Sequence, residues 1–365
     1  MSDDGAGRAL RVGLIGLGEV GRAHLEAYRM TDRVEVAAIA DPDEERWRDA
    51  DPGLPLYTDA ARMMAREDLD LVCVLTPPAT HEPLVRLAAA RHLHVLCEKP
   101  LSLSLESCDR MVEACEQAGV RLFYGASYRH LPALVAARDL IRAGAIGAVR
   151  VLRESVIGGA GAAHQTMLSP AHYPAGGPGG GSMGLMDHGI HLADLFTWLT
   201  GSSVVSAYGV GNRTGTAPGP EYLTMRLANG ALGSLLYDEG TFASDLPPEG
   251  QFSWGAAWGA DGYAPGGGWD RHPGCVHIHG AEGSLRAFHY ANILFLNDAQ
   301  GLRQIPLSGR AAPGHFASQI EVFADEIVRD LPPSSPPAAG RDALEVLLAA
   351  YRDGGETQVD LGSRS

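Results

Sequence analysis

Arg11-Val12-Gly13-Leu14-Ile15-Gly16-Leu17-Gly18-Glu19-Val20-Gly21 carries a short apolar strand into three glycines spaced Gly-x-Gly-x-x-Gly, and from there into a helix. Glycines at these positions permit a tight turn and let backbone N–H groups at the helix N-terminus approach a pyrophosphate. A tight turn without a ligand is the plain alternative, because the pattern alone is weak. The next strand, Val34 to Ala40, ends in Asp41, twenty residues past Gly21, where a carboxylate would accept from a ribose 2′-hydroxyl. Gly16, Gly18, Glu19, Val20, Gly21 and Asp41 are therefore the expected dinucleotide contacts. Asp43, Glu44 and Glu45 add negative charge that would repel a 2′-phosphate and favour NAD over NADP, while Arg46 and Arg48 act in the opposite direction.

Working outward, Val12 to Gly16, Val34 to Ala40, Leu69 to Leu75, Leu93 to Cys97 and Arg121 to Tyr124 read as apolar strands. Helical periodicity over Val20 to Arg29, Thr80 to Arg91 and Leu105 to Ala118 separates them. Continuous apolar strands alternating with helices mean a doubly wound parallel sheet covered on both faces, of the α/β class. Past about residue 125 the pattern changes. A helix over Leu131 to Ala143 leads into strands at Val149 to Ile157, Val204 to Val210, Tyr222 to Leu227, Ala231 to Tyr237, Val276 to His279, Leu285 to Tyr290 and Ile293 to Leu296. Close turn signals such as Ala228-Asn229-Gly230 make these strands mainly antiparallel, covered by helices at Leu185 to Leu199 and Phe316 to Arg329. A proline-rich stretch, Leu331 to Pro337, precedes a last helix, Arg341 to Tyr351. The expected organisation is a dinucleotide-binding domain over residues 1–127 and an α+β substrate-binding and oligomerisation domain over 128–365.

Composition narrows the partners. The chain has 365 residues, 45% of them hydrophobic and 20% charged, with a net charge of −15. No basic stripe suits nucleic acid or an anionic membrane, and no apolar run reaches membrane-spanning length. The N-terminus lacks the layout of a secretion signal. Cys73, Cys97, Cys108, Cys115 and Cys275 show no Cys-x-x-Cys spacing and read as reduced thiols of a cytoplasmic protein.

One lysine, Lys99, stands against twenty-eight arginines, in Cys97-Glu98-Lys99-Pro100. Arginine evidently serves wherever a generic positive charge suffices, so Lys99 points to what guanidinium lacks: a compact ammonium able to shed its proton. A stray surface lysine is the bland alternative. Further on, Asp187, His191 and Asp194 recur at intervals of four and three and share a helix face, where a carboxylate beside an imidazole fixes its tautomer for acid–base work. His188 points elsewhere. The alternatives are a capping Asp187 with a packed His191, or a metal held by His188, His191 and a carboxylate; no metal is expected.

Taken in order, Gly16-x-Gly18-x-x-Gly21, Thr76-Pro77-Pro78-Ala79-Thr80-His81, Cys97-Glu98-Lys99-Pro100 and Asp187-x-x-x-His191-x-x-Asp194 resemble the Gfo/Idh/MocA oxidoreductases, a family that includes inositol and glucose dehydrogenases. The resemblance runs from about residue 10 through the C-terminal helix. It implies a Rossmann domain followed by a domain with an open, mainly antiparallel sheet, with hydride transfer between nicotinamide and a secondary hydroxyl of a sugar, sugar derivative or cyclitol. Lys99 would hydrogen-bond the reacting oxygen, His191 would take its proton and Asp187 would orient the system. Arg129 would join these three against the substrate. Thr76, Pro77, His81 and Glu98, with Lys99, would lie near the nicotinamide half of NAD. The Lys99-Pro100 peptide is expected to be cis. Relatives of this kind are homodimers or homotetramers that pair through the outer face of the second sheet.

Two other activities are compatible with this scaffold: an NAD-retaining glycoside hydrolase working by transient C3 oxidation, and a non-catalytic NAD-binding regulator. Two long glycine-rich stretches stand out. Gly158 to Gly184 leads to Asp187 and offers His164, His172 and Tyr173 as substrate contacts, and Gly250 to Gly274, longer than the family pattern, offers Trp254, Trp258 and Trp269 for stacking on a sugar, for a lid, for a subunit contact or for plain packing.

Overall fold

The computed structural model describes residues 8–157, 184–211, 220–238, 275–352 and 359–361. The chain divides into two compact units, Met1–Ser127 with Pro313–Arg341, and Tyr128–Ala312 with Asp342–Ser365.

In the first unit β1 (Leu10–Ile15), β2 (Val34–Ala40), β3 (Leu56–Tyr57), β4 (Leu71–Val74), β5 (His94–Glu98) and β6 (Leu122–Gly125) form a parallel sheet in the order β3-β2-β1-β4-β5-β6. Every residue of β4 and β6 is buried, as strands covered on both faces require. Helices α1 (Glu19–Tyr28), α2 (Ala60–Arg66), α3 (His81–Ala89) and α4 (Leu105–Ala118) make the crossovers. Their ends follow from local chemistry: Asp59 and Ser104 accept from backbone N–H groups at the starts of α2 and α4, and Gly119 closes α4 in the left-handed region. The strand order reverses between β1 and β4, so the carboxyl ends of these strands flank the crevice where open α/β sheets take ligands.

The second unit holds α5 (Pro132–Arg142), β7 (Val149–Ile157), α6 (Ile190–Thr200), β8 (Val204–Gly211), β9 (Glu221–Leu227), β10 (Leu232–Asp238), β11 (Cys275–Gly280), β12 (Gly283–Phe288), β13 (Ile293–Asp298) and β14 (Gly301–Gln304). Its nine-stranded sheet runs β14-β13-β12-β11-β7-β10-β9-β8, with a final strand of two residues, Val359–Asp360, at the β8 edge. All pairings are antiparallel except β7 with β10. Burial alternates strictly along β9, where Glu221, Leu223, Met225 and Leu227 face the core. On the other face Val210, Tyr222 and Leu236 lie in register across β8, β9 and β10 with each at least 37% exposed.

Past β14 the chain returns to the first unit through α7 (His315–Val328), then runs into α8 (Pro337–Ala350). Residues 313–341, which the sequence reading assigns to the second domain, are bound to the first by aromatic contacts. Phe323 stacks on Phe123 of β6 at 4.4 Å between centroids, and Phe316 lies 4.0 Å from the His24 ring. Ser335 both accepts from the Tyr124 amide through its carbonyl and donates its hydroxyl to the Tyr124 carbonyl. The five cysteines are buried and carry no disulfide. Among the described residues no helix is long and apolar enough to cross a membrane.

Candidate active site

In the first unit the glycine turn after β1 has three differently constrained positions. Gly16 sits at φ 99°, and a Cβ there would lie 2.8 Å from the Leu75 carbonyl oxygen. A Cβ on Gly21 would stand 2.1 Å from the Gly16 carbonyl oxygen, so α1 packs on the turn only because that position is bare. Gly18 differs. The nearest atom to its virtual Cβ is Arg46 Nη1 at 3.8 Å, which leaves open space above the amides that begin α1 at Glu19 and Val20. The fold thus spends two glycines on itself and keeps one clear, the pattern a pyrophosphate cradle requires.

Asp41, only 2% exposed, borders this space. Its Oδ2 accepts from the Leu17 amide at 2.7 Å and its Oδ1 from the Asp43 amide at 2.8 Å. These bonds tie the end of β2 to the glycine turn and hold the carboxylate where a ribose would pass. Arg46 reaches Asp41 with Nη1 at 3.3 Å and Asp43 with Nε at 3.2 Å. A half-exposed guanidinium therefore overhangs the same spot.

At the ends of β4 and β5, His81 is fully buried and spans two loops. Its Nε2 lies 2.7 Å from the Thr76 carbonyl, and its Nδ1 lies 3.1 Å and 3.2 Å from the carbonyls of Pro100 and Leu101. Burial holds its pKa below the ordinary histidine value. The imidazole thus cross-links Thr76-Pro77, expected at the nicotinamide half, to the turn that carries Lys99. The Lys99-Pro100 peptide is cis, as expected. Glu98 is buried; its Oε2 accepts from the Lys99 amide at 3.1 Å, and its Oε1 lies 3.2 Å from His24 Nε2.

His24 escaped the sequence reading, although its place on the inward face of α1, four residues before Tyr28, was a usable signal. Its Nδ1 lies 2.9 Å from the Tyr28 hydroxyl, which lies 3.3 Å from Cys73 Sγ. Burial pushes Tyr28 well above its ordinary pKa and Cys73 up to about 12, so both stay protonated. One arrangement satisfies the row: thiol to phenol, phenol to Nδ1, and Nε2–H to the Glu98 carboxylate.

In the second unit the segment that reads as one helix begins as a π turn, Leu185–Gly189, before α6. Such turns recur at functional sites. Glu221 of β9 anchors it: Oε2 accepts from the Leu185 amide at 2.8 Å and Oε1 from the Tyr351 hydroxyl at 3.1 Å. Asp187 and His191 lie half-buried on this segment. His188 turns inward instead, its Nε2 2.8 Å from Glu154 Oε2, and His289 Nε2 lies 3.0 Å from the other Glu154 oxygen. The two imidazoles hold this buried carboxylate well below the usual range. Asp194 also turns inward and forms a two-point ion pair with Arg129. The four residues expected to bind substrate thus include one, Arg129, whose guanidinium is engaged by a neighbouring carboxylate.

Among the described residues no group of three His, Cys, Asp or Glu is arranged to hold a metal ion. Lys99 belongs to the first unit and His191 to the second. His164, His172, Tyr173, Trp254, Trp258 and Trp269 lie outside the described residues. Glu154, Tyr128, His289, Tyr290 and Glu221 were missed in the sequence, because nothing local marks a buried polar group whose partners are far away along the chain.

Comparison with known proteins places these features in context. Residues 10–126 match the oxidoreductase family model with an NAD-binding Rossmann fold, and residues 134–286 match the GFO/IDH/MocA C-terminal domain. D-apiose dehydrogenase of Paraburkholderia graminis is 42% identical over 137 residues, which cover 37% of this chain and 36% of that protein. The match thus spans about a third of that relative. Rhizopine catabolism protein MocA of Rhizobium meliloti is 30% identical over 261 residues, covering 70% of this chain and 77% of that one. The crystal structure of aldose-aldose oxidoreductase from Caulobacter crescentus superposes with a TM-score of 0.78 over 97% of this chain and 100% of that chain, at 22% identity.

Proposed function

Because this chain belongs to the Gfo/Idh/MocA family of oxidoreductases, we propose that it is an NAD-dependent dehydrogenase or ketoreductase acting on a secondary hydroxyl of a sugar, sugar derivative or cyclitol. The observation that carries this reading is the setting of the sole lysine. Lys99 follows β5 at the ligand-bearing edge of a sheet whose glycine turn keeps a cradle clear at Gly18, and Glu98 holds its amide. The names of relatives, D-apiose dehydrogenase and a rhizopine catabolism protein, support a small polyhydroxylated substrate.

When bound, the nicotinamide supplies a hydride acceptor. The work left to the chain is to move a proton and to hold charge. Lys99 hydrogen-bonds the reacting oxygen and stabilises the alkoxide as it develops. His191 takes the hydroxyl proton, and Asp187 orients it. Arg129, held by Asp194, presents a fixed cationic edge to the substrate. Gly16, Gly18 and Gly21 with the amides of Glu19 and Val20 bind the pyrophosphate, and Asp41 binds the ribose. His81 fixes the Thr76-Pro77 loop against the lysine turn. Asp41 and Asp43 favour NAD over NADP.

The domain roles follow: residues 1–127, joined by 313–341, for dinucleotide binding, and the remainder of 128–365 for substrate binding and oligomerisation. The exposed row Val210, Tyr222 and Leu236 supports a homodimer or homotetramer built on that sheet face. Buried cysteines that carry no disulfide support residence in the cytoplasm.

The test is NADH absorbance across a panel of sugars, sugar phosphates, nucleotide sugars, glycosides and inositols. Net NADH with a polyol supports the dehydrogenase. Glycoside cleavage without net NADH replaces it with the hydrolase, and NAD binding without turnover on the whole panel replaces it with a regulator.

A further inference from the structure

Tyr128 has no part in the reaction described above, yet its ring lies flat against His191, with 4.1 Å between centroids and 13° between planes. It is itself held on every side. Only 2% of it is exposed, and its phenol oxygen shares a 2.6 Å hydrogen bond with that of Tyr290. Its ring also lies 4.8 Å from that of His289. His289 is fixed in turn by Glu154, which holds His188 with its second oxygen. A carboxylate clamped between two imidazoles thus backs an aromatic floor, and His191 lies on that floor at the half-buried surface of the unit.

A face-to-face contact has a useful asymmetry. It fixes the plane of an imidazole through the ring face and makes no use of the nitrogens, which lie at the edge. A hydrogen-bonded clamp would fix the ring by occupying one of those nitrogens. Burial keeps the Tyr128 phenol far above its ordinary pKa, so the floor stays neutral while His191 gains and loses its proton.

We propose that Tyr128 is a positioning residue for His191: its ring sets the plane in which the imidazole meets a substrate hydroxyl, and burial against His289 and the Glu154 cluster keeps that ring in place. The proposal rests on His191 as the proton acceptor for its catalytic consequence, and on the stack alone for its structural content. Loss of alignment at a reacting group reduces turnover by about tenfold to a hundredfold.

The test uses the full-length protein labelled in its histidines, with the His191 ring signal identified as the one that His191→Asn removes. In the wild type the His191 ring protons resonate upfield of those of an exposed histidine, because they lie over an aromatic face. Tyr128→Phe keeps that displacement and stays within about threefold of wild-type kcat, since the ring is retained. Tyr128→Leu abolishes the displacement and lowers kcat by about tenfold or more, with NAD affinity unchanged. A folded Tyr128→Leu with wild-type kcat overturns the proposal. If Tyr128→Leu does not fold, an undisplaced His191 signal in the wild type overturns it by itself. Full turnover by His191→Asn sinks the acid–base assignment instead, and the ring signals still report the stack.

Discussion

Arg129 and Asp194 meet at two points, Nε to Oδ2 at 2.9 Å and Nη2 to Oδ1 at 2.5 Å, with both side chains buried. On the helix Asp194 shares its spacing with Asp187 and His191, but its side chain serves the arginine. Removing one partner of a buried pair leaves an uncompensated charge, which costs about 3–5 kcal/mol, whereas removing both costs much less. Asp194→Ala is therefore expected to lower the urea midpoint sharply, and the double variant with Arg129→Leu to recover part of the loss. A single variant within about 1 kcal/mol of wild type contradicts the pairing.

Gly18 and Gly21 look alike in the sequence and differ in the fold. Gly18→Ala is expected to leave the melting temperature nearly unchanged and to weaken NAD at least tenfold, since the methyl enters open space beside the α1 amides. Gly21→Ala drives a Cβ into the Gly16 carbonyl and destabilises the apoprotein itself. Melting curves with and without NAD separate the two outcomes; a destabilised Gly18→Ala apoprotein would count against the cradle.

Arg46 overhangs Asp41 and the space above Gly18, which puts a cation beside the carboxylate proposed to bind the ribose. NAD is expected to bind more tightly than NADP, because Asp41, Asp43, Glu44 and Glu45 oppose a 2′-phosphate. Arg46→Ala should weaken NADP further and leave NAD within about threefold, and Asp41→Ser should narrow the preference. Fluorescence titration with both cofactors measures this, and an Arg46→Ala variant that gains NADP affinity refutes it.

Lys99→Arg keeps the charge and loses the compact, titratable head. Removing an acid–base or alkoxide-stabilising group costs about 10²–10⁴ in turnover. NAD affinity should remain near wild type by titration. Turnover within a few-fold of wild type in this variant ends the assignment.

His277 of β11 sits across from Arg153 of β7 and Arg286 of β12, in the same sheet as Glu154 and beside His279. Burial, then these two arginines, lower its pKa to about 4. The fold therefore keeps it neutral, while the unfolded chain takes up a proton below about 6.5. Its contribution to stability is full above that value and falls as pH drops towards 4, by about 2 kcal/mol at pH 5. His277→Gln should show a smaller drop in melting temperature between pH 7.5 and 5 than the wild type. Equal drops would refute the linkage.

The first unit was legible because its signals are local. Apolar runs mark β1, β2, β4, β5 and β6, and the predicted helix Leu105 to Ala118 has the same bounds as α4. The two-residue β3 and the largely exposed β14 carry no apolar run and were missed. The sheet order of the second unit depends on β7 pairing with β10 and β11, far along the chain, which no window of sequence reveals. Helix α8 starts at Pro337, earlier than the expected Arg341, because a proline in the first turn gives up an N–H that has no intrahelical partner anyway. The candidate site divided along the same line. The glycine turn, Asp41, Lys99 and His191 announce themselves by spacing or rarity. Their supports, His24 behind Glu98 and Tyr128 beneath His191, are ordinary residues in the sequence and acquire their roles only from packing.

The return of residues 313–341 to the first unit has a consequence for synthesis. As the nascent chain leaves the ribosome, the parallel sheet and α1 emerge early, but Phe316 and Phe323, which cover His24 and Phe123, emerge only near the end of translation. Until then that apolar face is bare and open to chaperones or to clumping with other nascent chains. A stop codon shortly before residue 313 would thus injure the N-terminal body it lies so far from, and a gene fragment ending at residue 127 should need a detergent or a fusion partner to stay dispersed.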